Sequence, residues 1–124
     1  MASGGVRTNI GAGDNFTPGE DRTGRWAVVD ANDDAETDFT GWTFAWYLVR
    51  SLDTAQGVTK LAARALITKT SGDGIDSSTE PNVDVTIDAA DSVELAPGTY
   101  AYELWRTDSG NVRRLAYGSM VWGA

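Results

Sequence analysis

The sequence contains no histidine and no cysteine among its 124 residues. Without cysteine the chain can form neither disulfides nor thiolate metal ligands, and an oxidising compartment is not implied. Without histidine it lacks the Ser-His and Cys-His nucleophilic pairs, the zinc sites built on imidazole and the usual general base near neutral pH. We therefore expect a protein that is not an enzyme and that binds no metal and no cofactor.

Basic residues and long apolar runs are also scarce. Ten Lys and Arg stand against 18 Asp and Glu, which gives a formal net charge of −8. Binding to a phosphate backbone needs clustered basic side chains, and the only adjacent pair, Arg113-Arg114, is more typical of a solvated strand edge. No apolar run approaches the ~20 residues that cross a bilayer, and the N-terminus lacks the apolar core of a secretory signal peptide. We expect neither nucleic acid nor a membrane as a partner.

Glycine and tryptophan, by contrast, are abundant, with 14 and five residues. Six glycines fall within residues 1–24, where hydrophobic alternation is weak and only Val6–Ile10 has the pattern of a short strand. Such a composition predicts a flexible N-terminal arm. From residue 25 to residue 124 the strand signals become regular, and this range is predicted to be one folded domain.

Within residues 25–124, apolar segments of strand length recur between turn residues. The clearest strand segments are Trp26–Val29, Trp42–Arg50, Ala65–Thr70, Asn82–Asp88, the segment from Pro97 to Arg106, and Val112–Trp122. Residues 51–64 are ambiguous, because their apolar side chains fit a helical spacing and allow a short helix or helical turn. About seven strands separated by turns predict an all-β fold, a single Ig-like antiparallel β-sandwich with an extended N-terminal arm.

The acidic run Asp30–Asp38 is the one segment that resembles a metal-binding loop. Asp30, Asn32 and Asp34 match positions 1, 3 and 5 of an EF-hand loop. The glycine at position 6 and the glutamate at position 12 are missing. A solvated turn between two strands is therefore the favoured interpretation, and calcium binding stays open.

The tryptophans divide between a predicted core and a predicted contact surface. Trp42 and Trp46 share a strand face with other large apolar residues and are predicted to pack in the core. Trp105 faces away from its apolar neighbours, and Trp122 lies near the end of the last strand, where it is predicted to pack against a neighbouring molecule. Exposed tryptophans mark protein contacts more often than sugar-stacking platforms. The predicted interface residues are Val6, Ile10, Phe16, Trp105 and Trp122.

The segment Leu95–Tyr100, with sequence Leu-Ala-Pro-Gly-Thr-Tyr, is related to the tyrosine corner of sandwich domains. In that motif a tyrosine hydroxyl bonds the backbone of the preceding loop. The fibronectin type III form would place its tyrosine at Ala101, whereas this chain has Tyr100 and Tyr102. We expect a structural role for both tyrosines.

Read in order, the segments resemble the small Ig-like β-sandwich domains of tailed-phage virions, notably baseplate upper proteins and lateral tail-fibre collar proteins. The segments that carry the resemblance are Ile10–Asp14, Asp38–Gly41, Trp42–Arg50, Lys69–Ile75, Asp91–Leu104 and Ala116–Val121. The chain departs from that pattern in its longer N-terminal arm and in stopping at the sandwich. The second departure favours a small accessory, collar or decoration subunit.

The resemblance implies a non-enzymatic virion structural protein, an assembly subunit of the tail tip, baseplate or collar. Such a subunit would be made in the host cytoplasm, form a homo-oligomer, and contact other tail or capsid proteins, with its arm extended along a neighbour. Two alternatives stay open. One is a capsid decoration or head-tail accessory protein, and the other is a carbohydrate-binding module that attaches to a host glycan.

Overall fold

The computed structural model describes residues 6–8, 15–16, 19–30, 32, 34–50 and 58–123. Nine strands and two short helices lie in these residues. They are β1 (Val6–Thr8), β2 (Asn15–Phe16), β3 (Arg22–Val28), β4 (Phe44–Val49), α1 (Val58–Arg64), β5 (Ile67–Ser71), β6 (Gly74–Thr79), β7 (Asn82–Ile87), α2 (Ala89–Ser92), β8 (Gly98–Arg106) and β9 (Arg113–Trp122). Neither helix is long and apolar enough to cross a membrane.

The strands form one continuous sheet in the order β1-β3-β7-β6-β5-β4-β8-β9-β2. All neighbouring strands pair antiparallel except β5 with β6 and β2 with β9, which pair parallel. The predicted all-β class is confirmed. The two separately bonded antiparallel sheets of a sandwich are not seen, because the short β5–β6 pairing joins both halves into a single mixed sheet that curls around its core.

One core fills the inside of this sheet and is dominated by aromatic side chains. Trp26, Trp46 and Trp122 are all 0% exposed. The Trp26 ring lies 6.2 Å from the Trp46 ring and 5.3 Å from the ring of Tyr102, centroid to centroid. Aromatic pairs at this spacing contribute about 0.5–1.5 kcal/mol each beyond the area that they bury. The core prediction for Trp46 is confirmed, and Trp42 packs partly buried against the same core.

Strand β4 is buried on both of its faces. Its side chains alternate between the main core and a second, smaller cluster on the outside of the sheet. That outer cluster consists of Ala45, Tyr47, Val49, Ala101 and Leu61, and Leu61 is contributed by α1. The helical spacing noted in residues 51–64 therefore corresponds to a real helix that covers β4, and burial raises the pKa of the Tyr47 hydroxyl.

The N-terminal region differs from the predicted arm. The boundary predicted after residue 24 falls inside β3, which pairs with β7 from Arg22 onward. Strands β1 and β2, also from residues 1–24, pair with β3 and β9. The described part of this region therefore belongs to the sheet, held by backbone hydrogen bonds that leave little trace in hydrophobic alternation.

Candidate interaction surface

The outer face of β8 and β9 carries two of the five exposed large apolar side chains among the described residues. Its cross-strand pairs are Thr99 with Val121, Ala101 with Ser119, Glu103 with Tyr117, and Trp105 with Arg114. These side chains point outward because the alternate residues of β8 are buried in the core. On β9 the tyrosine is 56% exposed and the valine 43%. We call Arg114, Tyr117, Ser119 and Val121 the β9 strip.

A buried carboxylate anchors one end of the β9 strip. Glu103 is only 2% exposed, and its Oε1 accepts a 2.8 Å hydrogen bond from the indole Nε1 of Trp105. Arg114 Nη1 lies 3.7 Å from the same oxygen, and the Arg114 guanidinium lies 4.1 Å from the centre of the Tyr117 ring. The carboxylate thus has one hydrogen-bond donor, Trp105, and one cationic partner, Arg114. Aromatic and cationic groups are left facing outward at this end of the strip.

The lateral edge of β9 is largely open within the described part of the chain. There, only Asn15 and Phe16 of β2 pair with it, opposite Val121 and Trp122. The stretch from Arg113 to Met120 pairs with β8 on its other side alone. An unpaired strand edge offers backbone donors and acceptors to another strand.

The five predicted interface residues do not form one surface. Trp105 lies on the outer face as predicted, partly buried against the outer cluster. Trp122 packs inside this chain's own core rather than against a neighbouring molecule, because it shares a strand face with the buried Met120. Val6 lies in β1 and Phe16 in β2, while Ile10 falls outside the described residues.

Sequence reasoning missed Arg114, Tyr117 and Val121. For Tyr117 and Val121 the signal was the alternation along residues 117–122, because once one face is assigned to the core the other carries these two residues. Arg114 reaches the same face through the register shift after Leu104, which alternation does not reveal.

The acidic run folds as a compact turn. Asp30 Oδ1 accepts hydrogen bonds from the amides of Asn32 and Asp34, at 2.9 and 3.1 Å, and Val29 bridges to Ala35. These are the bonds of an Asx-type turn, in which a carboxylate caps the amides that follow it. In the residues that the structure describes, no group of three or more acidic side chains is arranged to hold a metal ion.

A buried ion pair joins two distant segments next to the core. Lys69 on β5 is 7% exposed, and its Nζ lies 2.6 Å from Asp91 Oδ2 in α2. The same Asp91 oxygen accepts a 2.8 Å hydrogen bond from the amide of Asp88. Partial burial of Asp91 disfavours its charge, but the bonds from Lys69 and from the Asp88 amide outweigh this, so the pKa of Asp91 lies below its usual value.

Gly74 makes room for the lysine of this pair. Its φ of +95° lies in the region that favours glycine, and a Cβ at this position would overlap Cδ of Lys69. The lysine stem therefore crosses directly over the first residue of β6. Any side chain at position 74 would displace it from Asp91.

The tyrosine corner is present in a shifted form. The hydroxyl of Tyr100, a residue only 1% exposed, donates a 2.5 Å hydrogen bond to the backbone carbonyl of Ala96, four residues earlier. Tyr102 lies in the core, with its hydroxyl packed where a Cβ on Gly118 would lie. Both tyrosines have the structural role predicted for them.

The β8–β9 turn is held by a bidentate ion pair. Arg106 donates to both carboxylate oxygens of Asp108, at 2.8 and 3.0 Å, and the Thr43 amide adds a bond at 3.3 Å. The hydrogen bonds from Arg106 lead the causes that lower the pKa of Asp108 to about 2. The guanidinium of Arg106 also lies 3.8 Å from the centre of the Trp42 ring. It therefore covers one face of that indole.

The sequence matches no protein-family model, and no curated protein is significantly similar to it. The residues and their geometry are thus the basis for any statement about function.

Proposed function

We propose that this protein is a non-enzymatic structural subunit of a tailed-phage virion, incorporated at the tail tip, baseplate or collar. It acts by surface complementarity, as a rigid β domain that contacts other copies of itself and other virion proteins. Apolar and aromatic side chains at the contact supply affinity, and polar groups around them supply orientation.

The observation that carries this proposal is the contact between two segments on which the phage-domain resemblance depends. Lys69 opens the segment Lys69–Ile75, and Asp91 opens the segment Asp91–Leu104. Their side chains meet at 2.6 Å, under a turn that requires Gly74. Two segments 22 positions apart in the chain thus contribute to one structural unit, which is what a conserved domain pattern would need.

The surface chemistry supports a role in contact rather than catalysis. Glu103, the buried carboxylate of the outer face, is only 2% exposed, accepts a hydrogen bond from Trp105 and is paired with the guanidinium of Arg114. The accessible groups on this face are an aromatic ring, a valine, a guanidinium and the hydroxyls of Thr99 and Ser119. Tyrosine and arginine are enriched where proteins bind one another.

The direct test is the location of the protein in particles. Virions purified from a culture that produces the chain would be analysed by mass spectrometry and labelled with antibody against the purified protein for electron microscopy. The proposal expects the protein in intact particles with label at the tail. Protein abundant in the lysate but missing from purified virions would overturn it. Label on the capsid would instead support the decoration alternative.

The saccharide-binding alternative has less support in the fold. Three of the five tryptophans are fully buried, Trp105 is half buried with its Nε1 committed to Glu103, and one face of Trp42 is occupied by Arg106. Stacking on a sugar needs a free aromatic face. A glycan array with the purified protein tests this reading, and binding that is lost in a Tyr117→Ala variant would favour it.

A further inference from the structure

We propose that Arg113 forms an anion-binding site that takes a carboxylate, supplied by an acidic side chain of a protein partner. The site lies at the end of the core, where β9 begins after the β8–β9 turn. It goes beyond the proposed function, because it follows from the side chains around Arg113 alone.

Arg113 lies on the inner face of the sheet. It pairs directly opposite Arg106 of β8, and Arg106 in turn pairs opposite Phe44 of β4. Residues that are directly opposite in antiparallel strands share one face. Since Phe44 belongs to the buried core, the Arg113 side chain points toward the end of that core and away from the β9 strip.

Two nitrogens of the Arg113 guanidinium are buried without an acceptor. Within the described part of the chain, its Nε and Nη2 have no hydrogen-bond partner. We call these two donors the Arg113 fork. A buried donor that loses its water without gaining an acceptor lowers stability, and the loss is larger for a charged group. Native structures leave few such groups, so the fork calls for a ligand that completes it.

Asp108, the carboxylate paired with Arg106, is not available to the Arg113 fork. Its Oδ1 accepts bonds from Arg106 Nε and the Thr43 amide, and its Oδ2 accepts bonds from Arg106 Nη2 and Asn111 Nδ2. A carboxylate has about four acceptor positions. All four are filled, so Asp108 has none left for a second arginine.

Arg106 and Arg113 also place two positive charges opposite each other. Like charges directly opposite on neighbouring strands destabilise a sheet. Glu103, the one carboxylate within β8 and β9, points to the outer face and pairs there with Arg114. A bound anion would therefore relieve the repulsion and complete the missing hydrogen bonds together.

The geometry of the fork points to a carboxylate. Arg25 binds both oxygens of Asp84 through its Nε and Nη2, at 2.6 and 3.0 Å. Arg106 binds Asp108 through the same two nitrogens. Such parallel bonds are the bidentate pairing of a planar guanidinium with a carboxylate. Arg113 presents the same edge, and two other arginines of this chain show which group fits it.

Rotation of one side chain opens the Arg113 fork to a partner. Arg113 as a whole residue is only partly buried, and its side chain turns about several rotatable bonds. The preceding residue, Val112, is 50% exposed. A single solvent-exposed ion pair contributes little, so a free small carboxylate would bind weakly. An acidic side chain carried by a protein partner adds contact with Val112 and is the favoured ligand.

NMR of the purified chain tests this site through the side-chain Nε–H signals of its arginines. The Arg113 signal is identified by its loss in Arg113→Lys. A capped Gly-Val-Glu-Val-Gly peptide, titrated at constant ionic strength, should shift this signal saturably. Sodium acetate should do so only at concentrations at least tenfold higher. The same peptide with glutamine in place of glutamate should not shift it.

Calorimetric titration with the glutamate peptide compares the variants. Arg113→Lys keeps the charge but not the fork, and should weaken binding at least fivefold. The matched control Arg25→Lys changes an arginine whose fork Asp84 already fills, and should leave binding unchanged. An Arg113 signal that ignores the peptide, or equal weakening by both variants, overturns the proposal. Acetate binding as tight as the peptide overturns the protein partner, and tighter binding of inorganic phosphate overturns the carboxylate.

Urea unfolding separates ligand binding from a structural role. Arg113→Met keeps the apolar stem and removes the unpaired charge, so its urea midpoint should equal or exceed that of wild type. Arg106→Met, directly opposite, breaks the bidentate pair with Asp108 and should lower the midpoint. An equal drop in both variants would show that Arg113 stabilises the fold, and the proposal fails. These results do not depend on whether the protein is found in virions, so the two proposals fail separately.

Discussion

Replacing Asp91 by asparagine should destabilise the domain by leaving the Lys69 ammonium buried without its counter-ion. Asparagine keeps an oxygen for the Asp88 amide, so the change removes the charge and little else. Breaking a fully buried ion pair costs about 3–5 kcal/mol. The Asp91 side chain is 29% exposed while that of Lys69 is 9% exposed. Water can therefore reach one partner, and we expect a loss of about 2 kcal/mol in the free energy of unfolding.

The converse change, Lys69→Met, should cost clearly less. Methionine fills the same channel over Gly74 without a charge, and the remaining carboxylate of Asp91 is partly solvated. Replacing a buried charge by an apolar side chain of similar volume is often close to neutral. We expect a cost of about 1 kcal/mol or less. The asymmetry between the two variants is the decisive quantity.

Urea unfolding followed by tryptophan fluorescence measures both costs. With a slope of about 2 kcal/mol per M, a loss of 2 kcal/mol lowers the midpoint by about 1 M. Glu94→Gln serves as the control, since it neutralises an exposed acid three residues away and should change stability by less than about 0.5 kcal/mol. The reasoning is refuted if Asp91→Asn costs no more than the control, or if Lys69→Met costs more than Asp91→Asn.

Two further predictions concern Tyr100, near the start of β8, and Asp108, in the β8–β9 turn. Tyr100→Phe should lower the free energy of unfolding by about 1 kcal/mol, because the hydrogen bond from the Tyr100 hydroxyl to the Ala96 carbonyl is lost; a thermal melt within 1 °C of wild type would contradict this. The pKa of Asp108, about 2 in the folded protein, lies below its unfolded value, so its pairing with Arg106 stabilises the fold above about pH 4 and is lost as pH falls toward 2. After allowance for solvent screening we expect Asp108→Asn to cost about 1 kcal/mol at pH 7 and nearly nothing at pH 2; a cost that stays constant in urea titrations across this range would refute the assignment.

The strands that sequence analysis located best are those with one face in the core. The predicted strand Asn82–Asp88 corresponds to β7, and Trp42–Arg50 contains β4. In β7 the alternation follows from burial of one face, and in β4 the continuous apolar run follows from burial of both faces, so each strand is visible in the sequence. The predicted helical turn before β5 is likewise α1, whose Leu61 is buried against the outside of β4.

The elements that sequence analysis missed do not show a hydrophobic pattern of this kind. Strand β6 buries only Ile75 and is otherwise polar, and α2 has four residues, too few for a helical period. The separation into two sheets was also an inference from strand count. Strand count cannot reveal the short parallel pairing between β5 and β6 that unites them.

The contact surface was predicted only in part because both faces of the last strand are apolar. Trp122 and Met120 lie on one face, and Tyr117 and Val121 on the other. Hydrophobicity alone would allow either side of β9 to turn toward the core. The choice is made by Tyr100 and Tyr102 on the neighbouring β8, whose buried side fixes which face of β9 turns inward. The sequence of β9 alone does not show how this strand pairs with β8.

The pairing of β3 with β7 has a consequence for synthesis. Trp26, at the centre of the core, lies on a strand whose partner follows roughly sixty residues later in the chain, and long-range pairing of this kind slows folding. During translation β3 leaves the ribosome long before Val83 and Val85 exist to cover it, whereas β8 and β9 emerge consecutively and can pair at once. The nascent chain must therefore carry an uncovered tryptophan while roughly sixty further residues are made.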